Sequence, residues 1–456
     1  MAEINFQNNI NDLKEKSIGK LILKYALPNI IGMVLFASYF FIIQIFIARF
    51  SGLGVDAVGA VGICIPVMLI SLSFSMLTGI GAASQISIYL GKGDKKTSEY
   101  LLGNTITISV IISLVLTLVF LLFFEQILQI IGTTEENYKF VKKFLVIFVP
   151  NTIFVILSTT TGHLIRASGH PKKAMMLVIL GLGTNALLVP TLSFMLKDAI
   201  LGVAIALVVS LFIPLIPSLT HFLKKDATLK LEMHTLKLKT HILNLIFKIG
   251  FSPFLISFSV SFVGIIMNNR LGIYGGAFAI NAYTISNLLL AFFTFNLSGL
   301  TQGVQPIIGY NFGAGNLDRV FKTVKITGII AVITGIVGLF VGCFCPHWFV
   351  KMLSTGNKPV EEEAIRCLGV IMLGLPLAGL HLVFTSFFQS IGSAGKAFIL
   401  SIARQWVIFI PMIFILPLFW QTQGIWYSVP FTEVLSVILA ITIFINQLRI
   451  LKKQKH

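Results

Sequence analysis

Twelve apolar runs of bilayer-crossing length succeed one another along the chain, at 21–48, 58–89, 100–124, 140–164, 174–196, 199–222, 243–268, 277–308, 321–344, 364–392, 397–419 and 424–448. A helix rises about 1.5 Å per residue, so about 20 residues cross a hydrocarbon layer roughly 30 Å thick. Lipid offers the backbone no hydrogen bonds, and runs of this length satisfy their own only as helices. Charged residues make up 11% of the chain and mean hydropathy is +0.93, against about 25% charge in an ordinary soluble domain. The expectation is an all-α integral membrane protein of twelve transmembrane helices. The first twenty residues are polar, and the long run after them has no small-residue cleavage site. No removable signal is expected, and the first span serves as its own insertion signal.

The formal charge of +17 comes from 34 Lys and Arg against 17 Asp and Glu. Counted over alternate loops, 23 basic residues fall on the side of the amino terminus and 9 on the other, with Lys248 and Arg404 inside spans. The excess marks the cytoplasmic side, so both termini are expected there. Basic residues scattered over short loops offer no track for a phosphate backbone, which excludes a nucleic-acid partner. Cys343 and Cys345 lie in an apolar run without a second pair, and Cys64 and Cys367 stand alone, so no metal site is expected. No His-Glu-x-x-His, Gly-x-Ser-x-Gly or phosphate-loop pattern occurs, and the chain does not read as an enzyme.

The punctuation between runs repeats. Pro28 returns as Pro253, 225 residues later; Leu90-Gly91-Lys92-Gly93-Asp94 returns as Phe312-Gly313-Ala314-Gly315-Asn316, 222 later. Lys173-Ala174 returns as Lys396-Ala397 after 223, and Gly202 as Gly424 after 222. A near-constant offset at matching places in the hydropathy pattern indicates two copies of a six-span unit. An even number of crossings leaves both copies in the same sense, related by a pseudo-twofold axis along the membrane normal. The lobes are expected at 1–225 and 226–456, joined by the basic loop 223–241. Two bundles that rock about one site suit transport by alternating access, although duplicated folds also form channels.

The stretch Thr301-Gln302-Gly303-Val304-Gln305-Pro306-Ile307-Ile308-Gly309-Tyr310-Asn311-Phe312-Gly313-Ala314 resembles the eighth-helix signature of multidrug and toxin extrusion (MATE) transporters of the bacterial efflux branch. Ala26-Leu27-Pro28, Ile45-Phe46-Ile47 with Arg49, Gly54-Val55-Asp56-Ala57, Ala167-Ser168-Gly169, Pro171-Lys172-Lys173-Ala174-Met175 and Arg404-Gln405 support it. The resemblance spans about residues 15–448. It implies an inner-membrane antiporter that expels small amphipathic, cationic compounds in exchange for H+ or Na+, with no cofactor and as a monomer whose other contact is membrane lipid. Alternative readings are a flippase for a lipid-linked precursor and a passive channel or receptor without ion coupling.

The chain departs from the family where coupling acids are common. The first-helix position of an aspartate is Ile43, with Gln44 beside it; the fifth-helix acid position is Val189, between Asn185 and Pro190. The seventh span carries no acid from Phe247 to Asn268.

One acid remains well inside a span, Glu433, and a carboxylate in lipid is a functional candidate by default. Its repeat equivalent is Leu211. Arg404 is the expected partner: with a turn near Gln421, the two lie about 25 Å and about 18 Å below it, within reach of long side chains. The pair reads either as a structural bridge or as the site that attracts substrate and carries the coupling ion. Asn281, Tyr283, Gln302 and Gln305, near or within the signature, are candidates for substrate binding, with Asn185, Gln44, Phe40 and Phe41. Gln85, Asn268 and Gln389 are further intramembrane polar groups, and any of these equally suits a helix-to-helix hydrogen bond. Pro28, Pro253, Pro306 and Pro376 are expected hinges, because each removes a helix hydrogen bond. His163 and His381 are candidate proton relays or packing groups, and Asp56 a helix cap.

Overall fold

With lipid as solvent, a backbone must bond to itself, and nearly every stretch of the chain does so as helix. The computed structural model describes residues 12–50, 55–131, 133, 135–224, 227–353 and 358–453. Twelve of its helices are long and apolar enough to span a membrane. They are α1 (Ile18–Phe50), α2 (Val55–Gly91), α3 (Lys95–Leu122), α4 (Tyr138–Ala167), α5 (Pro171–Met195) and α6 (Ala199–Leu223) in the first lobe. The second lobe holds α7 (Thr240–Gly276), α8 (Phe278–Gly313), α9 (Leu317–Phe344), α10 (Lys358–Ser390), α11 (Ala394–Ile415) and α12 (Pro417–Leu451). Several run past their apolar cores, α10 by a turn that includes Glu361, Glu362 and Glu363. Helical hydrogen bonding continues into the interface, where water also tolerates it. The expected boundary at 225 and 226 falls on residues outside the described set.

The duplication is visible in the backbone. Gly93 and Gly315 take positive φ at 78° and 75°, Gly169 and Gly392 at 92° and 75°, and the non-glycines Lys197 and Gln421 at 50° and 48°. These pairs repeat the offset of the sequence punctuation, so the two copies place positive-φ residues at matching points between spans or near their ends. In α4 the helix tightens to a 3-10 turn at Val149–Asn151, and in α10 it does so at Met372–Gly374. Pro150 and Pro376 accompany these two breaks, each unable to donate to the preceding turn. Pro28, Pro253 and Pro306 lie inside continuous helices.

One feature belongs to the second lobe alone among the described residues: Ala403–Phe409 in α11 winds as a π-helix. The corresponding part of α5 is regular α-helix. Such insertions sit frequently at functional sites, because they widen a turn and redirect its side chains.

The lobes meet along α1 and α2 on one side and α7 and α8 on the other. Contact is closest toward the end where α1 begins and α12 ends. There Gly250 leaves no room for a Cβ against the Leu77 carbonyl, and Gly313 none against that of Ile88. Backbones touch where side chains are absent, which is how membrane helices gain packing without a hydrophobic driving force. One buried apolar core runs through this seam from Leu13 to Leu451, while a second, around Val67, Phe144, Phe148 and Val203, stays within the first lobe.

Candidate functional site

α11 and α12 place Arg404 and Glu433 side by side in the second lobe. Arg404 Nη2 donates to Glu433 Oε1 at 2.6 Å, and Nε donates to Oε1 at 3.1 Å and Oε2 at 3.3 Å. The carboxylate is 4% exposed. Its methylenes pack on Gly374, at the end of the 3-10 turn of α10. Arg404 lies in the π-helical segment of α11, and two local irregularities, this one and the 3-10 turn of α10, therefore converge on one buried ion pair. A fork that engages both oxygens makes a short, geometrically fixed charge-assisted pair.

His381, on α10, lies within electrostatic reach of Arg404. It is 2% exposed, and neither ring nitrogen has a hydrogen-bond partner. The Leu400 carbonyl stands toward the ring without completing a bond.

The amide candidates divide. Gln305 donates from Nε2 to Gln389 Oε1 at 3.0 Å, and Gln389 Nε2 donates to Ser252 Oγ at 3.1 Å. Ser252 in turn bonds Ser401 at 2.7 Å, and Ser84 of the first lobe donates to the Gln389 carbonyl. Gln305 is thus part of a buried seam that ties α2, α7, α8, α10 and α11 together. Gln302 keeps a buried Oε1 without a partner and does not join Gln305. Asn185 donates to Ser210 Oγ at 2.8 Å and fastens α5 to α6. Tyr283 donates to Asn287 at 3.4 Å and stacks on the buried Trp426 ring, 6.0 Å between centroids, while Asn281 is exposed. Val189, at the altered acid position, is packed in the first-lobe core. The side chains of Phe40, Phe41, Ile43, Gln44 and Asp56 lie outside the described residues.

Sequence reading missed a second polar knot at the lobe interface. Arg166 Nη1 donates to Asn29 Oδ1 at 2.9 Å and its Nη2 contacts His163 Nδ1 at 2.7 Å, while Asn29 Nδ2 donates to the Gly299 carbonyl at 2.7 Å. His163 was singled out by itself, and the further sequence signal was Arg166 beside the Ala167-Ser168-Gly169 turn, one residue inside its span. Glu363 was also missed; it accepts from the Trp426 indole at 3.1 Å and so anchors the start of α12 to α10.

The described residues gather no three His, Cys, Asp or Glu side chains able to hold a metal.

Comparison with known proteins agrees with this architecture. The MatE family model matches twice, at residues 28–191 and 253–415, once in each copy of the repeat. A multidrug export protein MepA from Staphylococcus haemolyticus is 30% identical over 430 residues, 94% of each chain. One from Staphylococcus aureus (strain MSSA476) is 31% identical over 435 residues, again 94% of each. Among solved structures, a multidrug resistance MATE family transporter of the MOP superfamily in an outward-facing conformation superimposes with a TM-score of 0.91 at 20% identity, covering 97% of this chain and 98% of the other. With twelve spans in two repeated lobes, a family match in each, and relatives alike along almost their whole length, the chain belongs to the MatE family of membrane transporters.

Proposed function

We propose that this protein exports small amphipathic, cationic compounds across the inner membrane, driven by protons that load on Glu433. The likeness to the MepA multidrug export proteins supports export of drug-like compounds. The excess of Lys and Arg on the terminus side supports cytoplasmic termini. Seen that way, the lobes are shut at the cytoplasmic end, by the glycine contacts of Gly250 and Gly313 and the Asn29 bond to Gly299.

The single observation that carries the mechanism is the Arg404 fork on Glu433. Both carboxylate oxygens are already engaged by a cation, so the site suits gain of a proton better than gain of Na+, which would sit against the guanidinium. With Glu433 ionised the pair is neutral, and a cationic substrate enters without opposition. A proton on Glu433 leaves the Arg404 charge uncompensated. At an effective dielectric of about 20, that charge costs a substrate cation about 10 Å away about 1.7 kcal/mol, roughly seventeenfold in binding. Proton and substrate then exclude each other through Arg404, which is the requirement for exchange.

Purified protein in liposomes, loaded with a fluorescent cation and given a proton or a sodium gradient separately, tests this. Wild-type efflux follows the proton gradient alone, and Glu433→Gln moves dye only downhill. Gradient-driven efflux that survives in a folded Glu433→Gln protein removes Glu433 from the coupling.

A further inference from the structure

The proposed coupling leaves a question of route, because Glu433 is sealed from water at 4% exposure and its proton needs a path out. Toward the terminus end, α10 carries His381, Thr385 and Gln389, four residues apart and hence on one helical face. All three are nearly fully buried, at 2%, 2% and 5% exposure. His381 Nδ1, His381 Nε2 and Thr385 Oγ1 have no hydrogen-bond partner. Three such atoms in a row are costly in a membrane interior, unless water occupies the seam with them. The row begins two turns along α10 from Gly374, which packs against Glu433, and ends at Gln389, where Ser252, Gln305 and Ser84 bring α7, α8 and α2 to the lobe interface.

The geometry points to a hydrated proton path along this face of α10, in which His381 relays protons between Glu433 and the Gln389 seam. It rests on the coupling role of Glu433. The step conserves charge. The Glu433 O–H bond breaks, and its proton passes through a water to one ring nitrogen of His381. The ring releases the proton on its other nitrogen to the next water, which leaves a neutral imidazole of the opposite tautomer and a carboxylate that re-pairs with Arg404. Thr385 and Gln389 orient the water that takes the proton onward.

The charged groups around this part of α10 are few. α11 supplies Arg404 and also Lys396, whose ammonium lies 5.9 Å from the Phe388 ring; α12 supplies Glu433, and α9 supplies Lys325 on the outer side, in a groove with Leu380, Val383 and Phe384. α7, α8 and α2 present Ser252, Gln305 and Ser84, none of which titrates in the working range.

Liposomes carrying wild type, His381→Gln, His381→Phe and Glu433→Gln, with an internal pH dye and a fluorescent cationic substrate, separate the outcomes. Wild type moves protons against substrate. His381→Gln keeps a polar side chain that cannot shuttle a proton, so its substrate-linked proton flux falls at least about tenfold while substrate Kd stays within about twofold. His381→Phe falls as far or further. Native proton flux in either folded His381 variant, with Glu433→Gln inactive, overturns the path and leaves the coupling role of Glu433 standing. Absence of substrate-linked proton flux in wild type overturns both.

Discussion

Asn29 of α1 donates its amide to the carbonyl of Gly299 on α8, at 2.7 Å across the boundary between the lobes. The same side chain accepts from Arg166 of α4 at 2.9 Å. One residue thus ties together an interlobe bond and a buried guanidinium, at the end where the bundles are closest.

Asn29→Ala removes both contacts, and loss of the neutral interlobe bond weakens the closed end by about 0.5–1.5 kcal/mol. That shifts an open-to-closed equilibrium about 2- to 13-fold. With the four native cysteines replaced, Ser84→Cys at the seam reports the change. Labelling by a water-soluble thiol reagent accelerates by that factor, and an unchanged rate takes Asn29 out of the latch.

Gly313→Val forces side-chain atoms into the Ile88 carbonyl, where no Cβ fits. Overpacking of this kind costs about 1–3 kcal/mol, and here it falls only on the conformation in which α2 and α8 touch. Spin labels on the two lobes therefore report a longer separation at the terminus end, and efflux slows. A distance distribution that matches wild type contradicts the role given to this contact.

Arg404→Leu strands the Glu433 carboxylate at 4% exposure, a loss of about 3–5 kcal/mol from breaking one member of a buried pair. The double variant Arg404→Leu with Glu433→Leu recovers most of that stability, because no charge is left buried. Thermal unfolding in detergent separates the two. Both variants lack gradient-driven efflux, so the double variant is a stable protein without coupling. Coupled efflux in it would return the pair to a purely structural role.

Asp94 caps α3, accepting from the Thr97 backbone at 2.9 Å and the Thr97 hydroxyl at 2.6 Å. Those hydrogen bonds, led by the hydroxyl, hold the Asp94 carboxyl below the usual carboxylate range. Its contribution is therefore complete above the ordinary Asp value and is lost as pH falls through the depressed one. Asp94→Asn costs up to about 1 kcal/mol at neutral pH, at the lower end for a cap because the site is exposed. Unfolding midpoints of the two proteins should converge once pH falls below the depressed value, since both then carry a neutral cap. A gap that persists at that pH assigns the loss to packing.

The repeat was legible because each copy must turn at the same places, and the turns need residues such as Gly93 and Gly315 that accept positive φ. Gln421 was read as a turn from hydropathy and adopts φ 48° without being glycine. The pairing of Arg404 with Glu433 followed from depth below that turn, since the two sit on consecutive antiparallel spans. Gln305 and Gln302, three residues apart in one signature, were read alike and separated in space. Gln305 faces Gln389 on α10, whereas Gln302 finds no partner for its Oε1.

From its amino-acid order alone, this protein's solvent, its twelve crossings, its duplication and the depth of Glu433 within a span were legible. Lipid enforces those features locally, since each span must be long, apolar and self-bonded whatever its neighbours do. Which polar groups meet was decided only when the helices packed. Arg166 with Asn29, Ser84 with Gln389 and the row from His381 to Gln389 depend on how each helix is rotated about its axis. A uniformly apolar span leaves that angle unspecified, and contacts from helices far apart in sequence set it.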